Sequence, residues 1–172
     1  MSEVFHDGPF TKRSPRLAQL RTIIWRLRYT SLQFKSGGKL RATEPPAIGP
    51  RCSLRPPNEI EFSARNSLGR EVHCEVDLKL GTDVLISSRV AFVGRDHPVD
   101  GLYTVYAAPR PQGASVTLEG DNLVGFGAII IAPARLAKGA VVASGAVVTG
   151  DVPADCIVAG IPAKPLRYRR RE

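Results

Sequence analysis

A six-residue beat of apolar side chains runs through most of this chain and breaks once. Ile48, Leu54, Ile60, Val72, Leu78, Val84 and Val90 keep time, with Asn66 out of step, and the beat resumes at Leu118, Val124, Ile130, Leu136, Val142 and Val148. Thirteen of the fourteen slots are apolar, in a chain that is 43% hydrophobic. Helical burial repeats at about 3.6 residues and strand burial at 2, so a period of six held this long requires short strands separated by like corners. That describes a coiled β-solenoid. The fifth place of each hexad agrees: Ala128, Ala134, Ala140 and Ala146 recur there, flanked by Asn122 and Val152, and Cys52, Ala64, Val76, Ser88 and Gly94 of the first run are also modest in size. A narrow prism needs a small residue beside each large aliphatic one.

The 172 residues read as one domain with appendages. Residues 1–44 form a basic helix and linker, residues 45–163 the solenoid with a loop inserted at about 95–117, and residues 164–172 a basic tail. The net charge of +8 is uneven: residues 1–41 carry nine Lys/Arg and two Asp/Glu, residues 42–163 ten and thirteen, and residues 164–172 five and one. A nucleic-acid-binding domain would spread its cations over one folded face, whereas here the central domain is mildly acidic, so nucleic acid is not expected as a partner.

Residues 14–34 read as a basic amphipathic helix, with Leu17, Leu20, Ile24 and Leu27 in 3-4-3 spacing and Arg16, Arg21, Arg26 and Arg28 around them. Two readings stand. The helix caps the open end of the solenoid and covers its strand edges, which is favoured, or it docks peripherally on an anionic membrane surface. No run of about 18 apolar residues and no signal-peptide layout is seen, so a cytoplasmic protein is expected, at most peripheral at the inner face of the membrane. Cys52, Cys74 and Cys156 have no C-x-x-C spacing and an odd count, which suits reduced packing cysteines rather than zinc ligands or disulfides.

Three landmarks stand in order along the chain. Gly81-Thr82-Asp83-Val84-Leu85-Ile86 is followed by His97-Pro98-Val99 in the single interruption of the beat; then come Gly139 to Thr149 and Val158-Ala159-Gly160-Ile161-Pro162-Ala163-Lys164. Together they resemble the hexapeptide-repeat acyltransferases, in particular the galactoside, maltose and sugar O-acetyltransferase subgroup, over roughly residues 45–168. The resemblance implies a mainly β fold, a left-handed parallel β-helix of three sides and about 18 residues per coil. It also implies a homotrimer with active sites between subunits and acetyl-CoA as acyl donor, with no metal.

By that resemblance His97 is the general base. An unactivated hydroxyl hardly ionises at neutral pH, so a base must take its proton as oxygen attacks the thioester, and no enzyme nucleophile is needed. Asp96 and Asp100 flank it as candidates to orient the imidazole. Backbone donors at Gly125, Phe126 and Gly127 are placed to meet the oxyanion, and CoA is expected along Ala143, Ser144 and Gly145, with Thr149, Lys164 and Arg167 toward its phosphates. Arg169, Arg170 and Arg171 are read as solvated tail charge. The chain departs from its relatives where Leu123 replaces a frequent tryptophan, Phe126 an occasional hydroxyl residue, and Thr149-Gly150 a common Thr-Lys pair.

The function expected is an acetyl-CoA-dependent O-acetyltransferase acting on a hydroxyl of a sugar, glycan precursor or related natural product, as in polysaccharide biosynthesis. The alternatives are N-acylation of an amino sugar and a non-catalytic β-helix scaffold. A γ-type carbonic anhydrase needs three zinc-binding histidines, but His73 and His97 are 24 residues apart, not a whole number of 18-residue coils, and His6 precedes the solenoid. Tyr103, Tyr106 and Arg110 could line an acceptor site or pack the loop; the residues give no ground for choosing.

Overall fold

The computed structural model of the chain describes residues 15–94, 97, 103–104, 106–108 and 113–170, the side chains of residues 15, 16 and 18 excepted. Seventeen short strands among these residues fall into three sheets, each forming one side of the molecule. Side A holds β1 (Leu40–Ala42), β4 (Ile60–Phe62), β7 (Asp77–Thr82), β10 (Ser115–Gly120) and β13 (Ala134–Leu136). Side B holds β2 (Ala47–Ile48), β5 (Ser67–Leu68), β8 (Leu85–Ile86), β11 (Leu123–Val124), β14 (Val141–Val142), β16 (Cys156–Ala159) and β17 (Lys164–Tyr168). Side C holds β3 (Ser53–Leu54), β6 (His73–Cys74), β9 (Ala91–Val93), β12 (Ile129–Ile131) and β15 (Val147–Val148). From β1 to β15 successive strands visit A, B and C in rotation, and each pairs in parallel with its counterpart one coil away.

The register counts the coil. Ile60 pairs with Leu78, Ser67 with Leu85 and His73 with Ala91, an offset of 18 on all three sides, and the coils after the loop repeat it until the last, where Val141 pairs with Ile157 at an offset of 16. In the first coil the offset is 20 on every side, so the two extra residues lie where the three spans overlap, between Ser53 and Ile60, at Pro56-Pro57. Across the interruption the offset becomes 38 instead of 18, placing the inserted loop between β9 and β10.

All fourteen hexad positions are buried, Asn66 included. The beat is nevertheless not one row of side chains. Each side carries two inward rows, as in Ile60 and Phe62 or Leu78 and Leu80 on side A, and on sides B and C the first of the two precedes the strand; the hexad frame passes from one inward row to the other at the loop: Leu118 pairs with Leu80, while Leu78 pairs with Val116. Both rows are apolar, which is why the beat survives the change. Apart from Cys52 in the first coil, the small-residue row belongs to the later coils, at Ala128, Ala134, Ala140 and Ala146, and its earlier counterparts are Val72, Leu78, Val84 and Val90. Ala64 and Ser88, expected in that row, are instead half-buried corner residues.

Asn66 is out of step because it serves the backbone. Its Oδ1 accepts from Val84 N at 3.1 Å and its Nδ2 donates to Ser63 O at 2.9 Å, and Asn122, on the same corner, likewise bridges Gly120, Ala137 and Ala140. A buried amide bonded at both ends closes a corner that an aliphatic residue would leave with unsatisfied peptide groups.

Helix α1 (Pro15–Lys35) lies against the first coil. Tyr29 meets Phe62 edge to face at 6.5 Å and donates its hydroxyl to Leu40 O, Arg28 donates to Ile48 O, Leu32 packs on the core, and Gln33 Oε1 accepts from Leu40 N. The expected stripe is mostly on another face: Leu17, Leu20 and Leu27 are half exposed or more, with Ile23 and Phe34 beside them, and of the expected four only Ile24 is half-buried. The strand-rich coil binds the helix through Arg28, Tyr29 and Leu32, polar tips included, because the end of the solenoid presents backbone carbonyls as well as apolar side chains. At the other end β17 runs antiparallel to β16 and closes side B.

Candidate functional site

Three corners join the sides, and the candidate residues divide between two of them. The corner from B to C carries Gly125-Phe126-Gly127 and, one coil on, Ala143-Ser144-Gly145. These coils approach so closely that a Cβ on Gly125 would lie 2.5 Å from Ser144 N. Gly127 and Gly145 take φ of +67° and +70°, the left-handed turn that glycine adopts without penalty. Gly127 and Gly145 have nothing within 4 Å of where a Cβ would stand, so main chain lies open there, the kind of surface along which an extended amide-bearing ligand can lie.

Within that corner the peptide donors are not equivalent. Gly125 N donates to Val142 O at 2.8 Å, Gly127 N to Ser88 O at 3.1 Å, and Gly145 N to Phe126 O at 2.8 Å. The amides of Gly125 and Gly127, expected to face an oxyanion, are therefore committed to the coil. Among the described residues Phe126 N and Ser144 N make no hydrogen bond, and both residues are exposed. Phe126 N–H is thus the available donor at the first corner and Ser144 N–H at the second.

His97 stands past Gly94, at the corner from C to A. It is half buried, and its Nδ1 is 2.5 Å from Ala108 O. A carbonyl only accepts, so Nδ1 carries the hydrogen in this bond and Nε2 holds the basic lone pair of the neutral ring. Ala108 is itself buried and held by a turn in which its N and that of Ala107 donate to Thr104 O. Thr149 follows β15 and belongs to this same corner. Asp96, Asp100 and Arg110 lie outside the described residues, as does His6; Tyr103 and Tyr106 are exposed.

The loop that carries His97 leaves side C at the end opposite the glycine corner. From Gly127 to Pro133 the chain crosses that whole side, at most about 20 Å of extended backbone. Within one copy, then, Thr149 and the start of the loop bearing His97 are across side C from Gly125, Phe126, Gly127, Ala143, Ser144 and Gly145. Lys164 opens β17 opposite Ala159, at the B-to-C end of side B. Arg167 pairs with Ile157 toward the other end, in an open groove of about 770 Å³ floored by Leu85, Leu123, Val141 and Ile157.

Arg169 overturns the expectation of a solvated tail charge. Its Nη1 donates to Asp121 O, Asp121 Oδ2 and Gly139 O at 3.0–3.2 Å, pinning the tail across the A-to-B corner. Nothing in a run of arginines marks one of them for this; the signal is the complementary Asp121, 48 residues away. No group of three His, Cys, Asp or Glu residues able to hold a metal occurs among the described residues. His73 is exposed on side C, 3.6 Å from Glu75. The three cysteines are unpaired, and burial pushes the Cys74 thiol up to about 12.

No family model matches the chain. A stretch of 57 residues is 49% identical to the 2,3,4,5-tetrahydropyridine-2,6-dicarboxylate N-acetyltransferase of Staphylococcus aureus; it covers 33% of this chain, and the chain spans about a quarter (24%) of that relative. Among solved structures the chain is similar to galactoside acetyltransferase in complex with coenzyme A, at TM-score 0.63 and 17% identity over 92% of this chain and 85% of that one. A hexapeptide-repeat-containing acetyltransferase from Vibrio cholerae, complexed with acetyl coenzyme A, matches at 0.59 and 22% over 94% and 93%. A variant of AntD, an N-acyltransferase from Bacillus cereus, complexed with dTDP-4-amino-4,6-dideoxyglucose and coenzyme A, matches at 0.65 and 16% over 77% and 79%. The structure neighbours are thus hexapeptide-repeat acetyltransferases, the resemblance read from the sequence, and the likeness is one of fold.

Proposed function

We propose that this chain is an acetyl-CoA-dependent acyltransferase on a left-handed β-helix, transferring an acetyl group to a hydroxyl or amine of a small-molecule or glycan acceptor. The observation that carries the reading is the bond from His97 Nδ1 to Ala108 O. It fixes the ring in the tautomer whose Nε2 accepts a proton, which a general base requires and an incidental loop histidine does not. As the acceptor oxygen or nitrogen attacks the thioester carbonyl, Nε2 takes its proton. The negative charge on the former carbonyl oxygen faces Phe126 N–H, the donor the coil leaves open. The imidazolium then returns the proton to the departing sulfur, and no acyl-enzyme forms. Ala143, Ser144 and Gly145 offer the donor's amide-bearing arm a close backbone, and Lys164 and Arg167 offer its phosphates positive charge.

The loop bearing His97 and the Phe126 corner adjoin opposite ends of side C in one copy, which supports a site shared between copies of a homotrimer. The outer rows of sides B and C are apolar at Leu85, Leu123, Ile129, Ile131, Val141 and Val147, whereas side A presents Arg41, Glu61, Lys79 and Arg135. Three copies wrapped on their B and C sides would bury the apolar rows and bring His97 of one to the Phe126 corner of the next. The amine acceptor is supported alongside the hydroxyl because both the S. aureus relative and AntD are named as acting on nitrogen. A cytoplasmic site suits three unpaired cysteines.

His97→Ala tests the mechanism. Turnover is expected to fall about 10²–10⁴-fold while the thermal midpoint still rises with acetyl-CoA. An unchanged rate removes His97 from the chemistry, and no midpoint shift with millimolar acetyl-CoA in the unaltered protein favours a scaffold.

A further inference from the structure

The left-handed residue of the B-to-C corner is glycine in the later coils, at Gly127 and Gly145, but in the three coils before them it is Arg51, Glu71 and Arg89, each at φ of 60°. A side chain in that conformation is strained where glycine is not, so these three are held there against backbone preference. Their side chains form a column. Arg51 Nη2 pairs with Glu71 Oε1, and Arg89 Nε lies 3.0 Å from Glu71 Oε2. Arg70 stands beside Glu71, exposed and without an ion pair among the described residues. One carboxylate thus faces three guanidinium groups. The side chains of Arg51 and Arg89 are 70% and 64% exposed, so most of their five N–H donors each remain turned to solvent.

At its upper end the column reaches the site. The Arg89 guanidinium lies 5.6 Å from the ring centre of Phe126, the residue whose amide is the open donor. Parallel strands are about 4.8 Å apart, so Arg89 sits one coil, about 5 Å, below that amide, and Arg70 two coils, about 10 Å. Resting on the transferase reading, we propose that Arg70 and Arg89, spaced by Glu71 and roofed by Phe126, bind an anionic group of the acceptor, a carboxylate or phosphate about 5–10 Å from the atom that is acylated. A ladder that only staples coils together would use Arg51, Glu71 and Arg89 but would not need Arg70.

The test titrates the full-length protein, ¹⁵N-labelled at arginine side chains, with inorganic phosphate and separately with malonate, against equal ionic strength of chloride, following the Nε–Hε resonances. Saturable shifts at Arg70 and Arg89 are expected, with affinity weakened about fivefold or more in Arg70→Gln and raised about threefold in Glu71→Gln, which frees both neighbours. The stronger of the two anions identifies the group. Shifts no larger than those in chloride, or an Arg70→Gln variant that binds as well, overturn the subsite. A purely structural ladder predicts that Glu71→Gln lowers the thermal midpoint without gain in anion affinity, and that result overturns it too. Glucosamine and glucosamine 6-phosphate are compared as acceptors in parallel; turnover of both with no preference for the phosphate, or a preference that Arg70→Gln leaves intact, also refutes it. The acetyl-CoA midpoint shift is read separately, so loss of the transferase reading is distinguishable from loss of the subsite.

Discussion

Gly125→Ala separates close approach from backbone strain, because this glycine does not have a positive φ while its neighbour Gly127 does. A methyl at Gly125 would lie 2.5 Å from Ser144 N, 2.8 Å from Ala143 C and 2.9 Å from Ser144 Cα, all main-chain atoms. Restoring an ordinary 3.4 Å contact requires the coils to part by about 0.9 Å (3.4 less 2.5). The bonds from Gly125 N to Val142 O and from Gly145 N to Phe126 O, both 2.8 Å, straddle the clash and would stretch beyond hydrogen-bonding range. Overpacking costs about 1–3 kcal/mol and two weakened bonds about 1 kcal/mol each, so the loss is set at about 2–4 kcal/mol once partial relaxation is allowed. Gly127→Ala meets nothing within 4 Å and carries only the strain of φ +67°, about 1 kcal/mol. At about 2–4 °C per kcal/mol for a chain of this size, the midpoints should fall by roughly 5–15 °C and 2–4 °C respectively. Thermal and urea unfolding at one fixed protein concentration measure both, with acetyl-CoA affinity as a second readout, since Phe126 N–H moves with the corner. Equal midpoints for the two variants, or a costlier Gly127→Ala, would refute the reasoning.

Arg169→Ala removes a donor to three oxygens and is expected to cost about 1.5–3 kcal/mol and to expose β17 to limited proteolysis; unchanged protease resistance would return Arg169 to the solvated tail. Asp83 and Glu71 are held below the usual carboxylate range, chiefly by hydrogen bonds from Arg65 and Arg89. Groups depressed in the folded state contribute stability that is present above their unfolded pKa values, about 4, and lost as pH falls through the folded values. Arg65→Gln should accordingly lower the urea midpoint slightly at pH 7, since exposed pairs count for little, and converge on the unaltered protein as pH falls below about 4, so that the acid limb flattens by the same small amount; an undiminished acid limb argues against the linkage. Ellman's reagent at pH 8 should leave native Cys74 unlabelled, its thiol raised to about 12 by burial, and find Cys52, also raised by burial, slow. Rapid native labelling of Cys74 would contradict the burial assigned to it.

The repeat was legible because it concerns burial, and burial leaves a periodic trace: every hexad residue faces inward, and the break falls where the loop is inserted. What the trace hides is its own change of row. With two mostly apolar inward rows on each side, the two-residue excess at Pro56-Pro57 and the two-residue surplus of the loop move the frame with little change in its composition. Only pairing register, a long-range property, shows that Leu78 faces Val116 and not Leu118. The helix misled for a related reason. Its apolar spacing pointed to Leu17, Leu20 and Leu27, but docking was decided by the carbonyls of Leu40 and Ile48, which reward Tyr29 and Arg28.

At the candidate site, residue type was readable and availability was not. Gly125 and Gly127 are needed where they stand, yet their amides are consumed in holding the coils together, and it is Phe126, the departure from the expected pattern, whose N–H is left open. The column of Arg51, Glu71 and Arg89 was also within reach of the sequence, since stacking the chain at its coil lengths of 20 and 18 residues aligns all three. That alignment needs the first-coil excess to be known, and the excess is invisible until the strands are paired. The split between the two corners follows from the same register: Thr149 and the loop that carries His97, which lies four residues past the end of β9, follow side C, whereas the glycine turn precedes it.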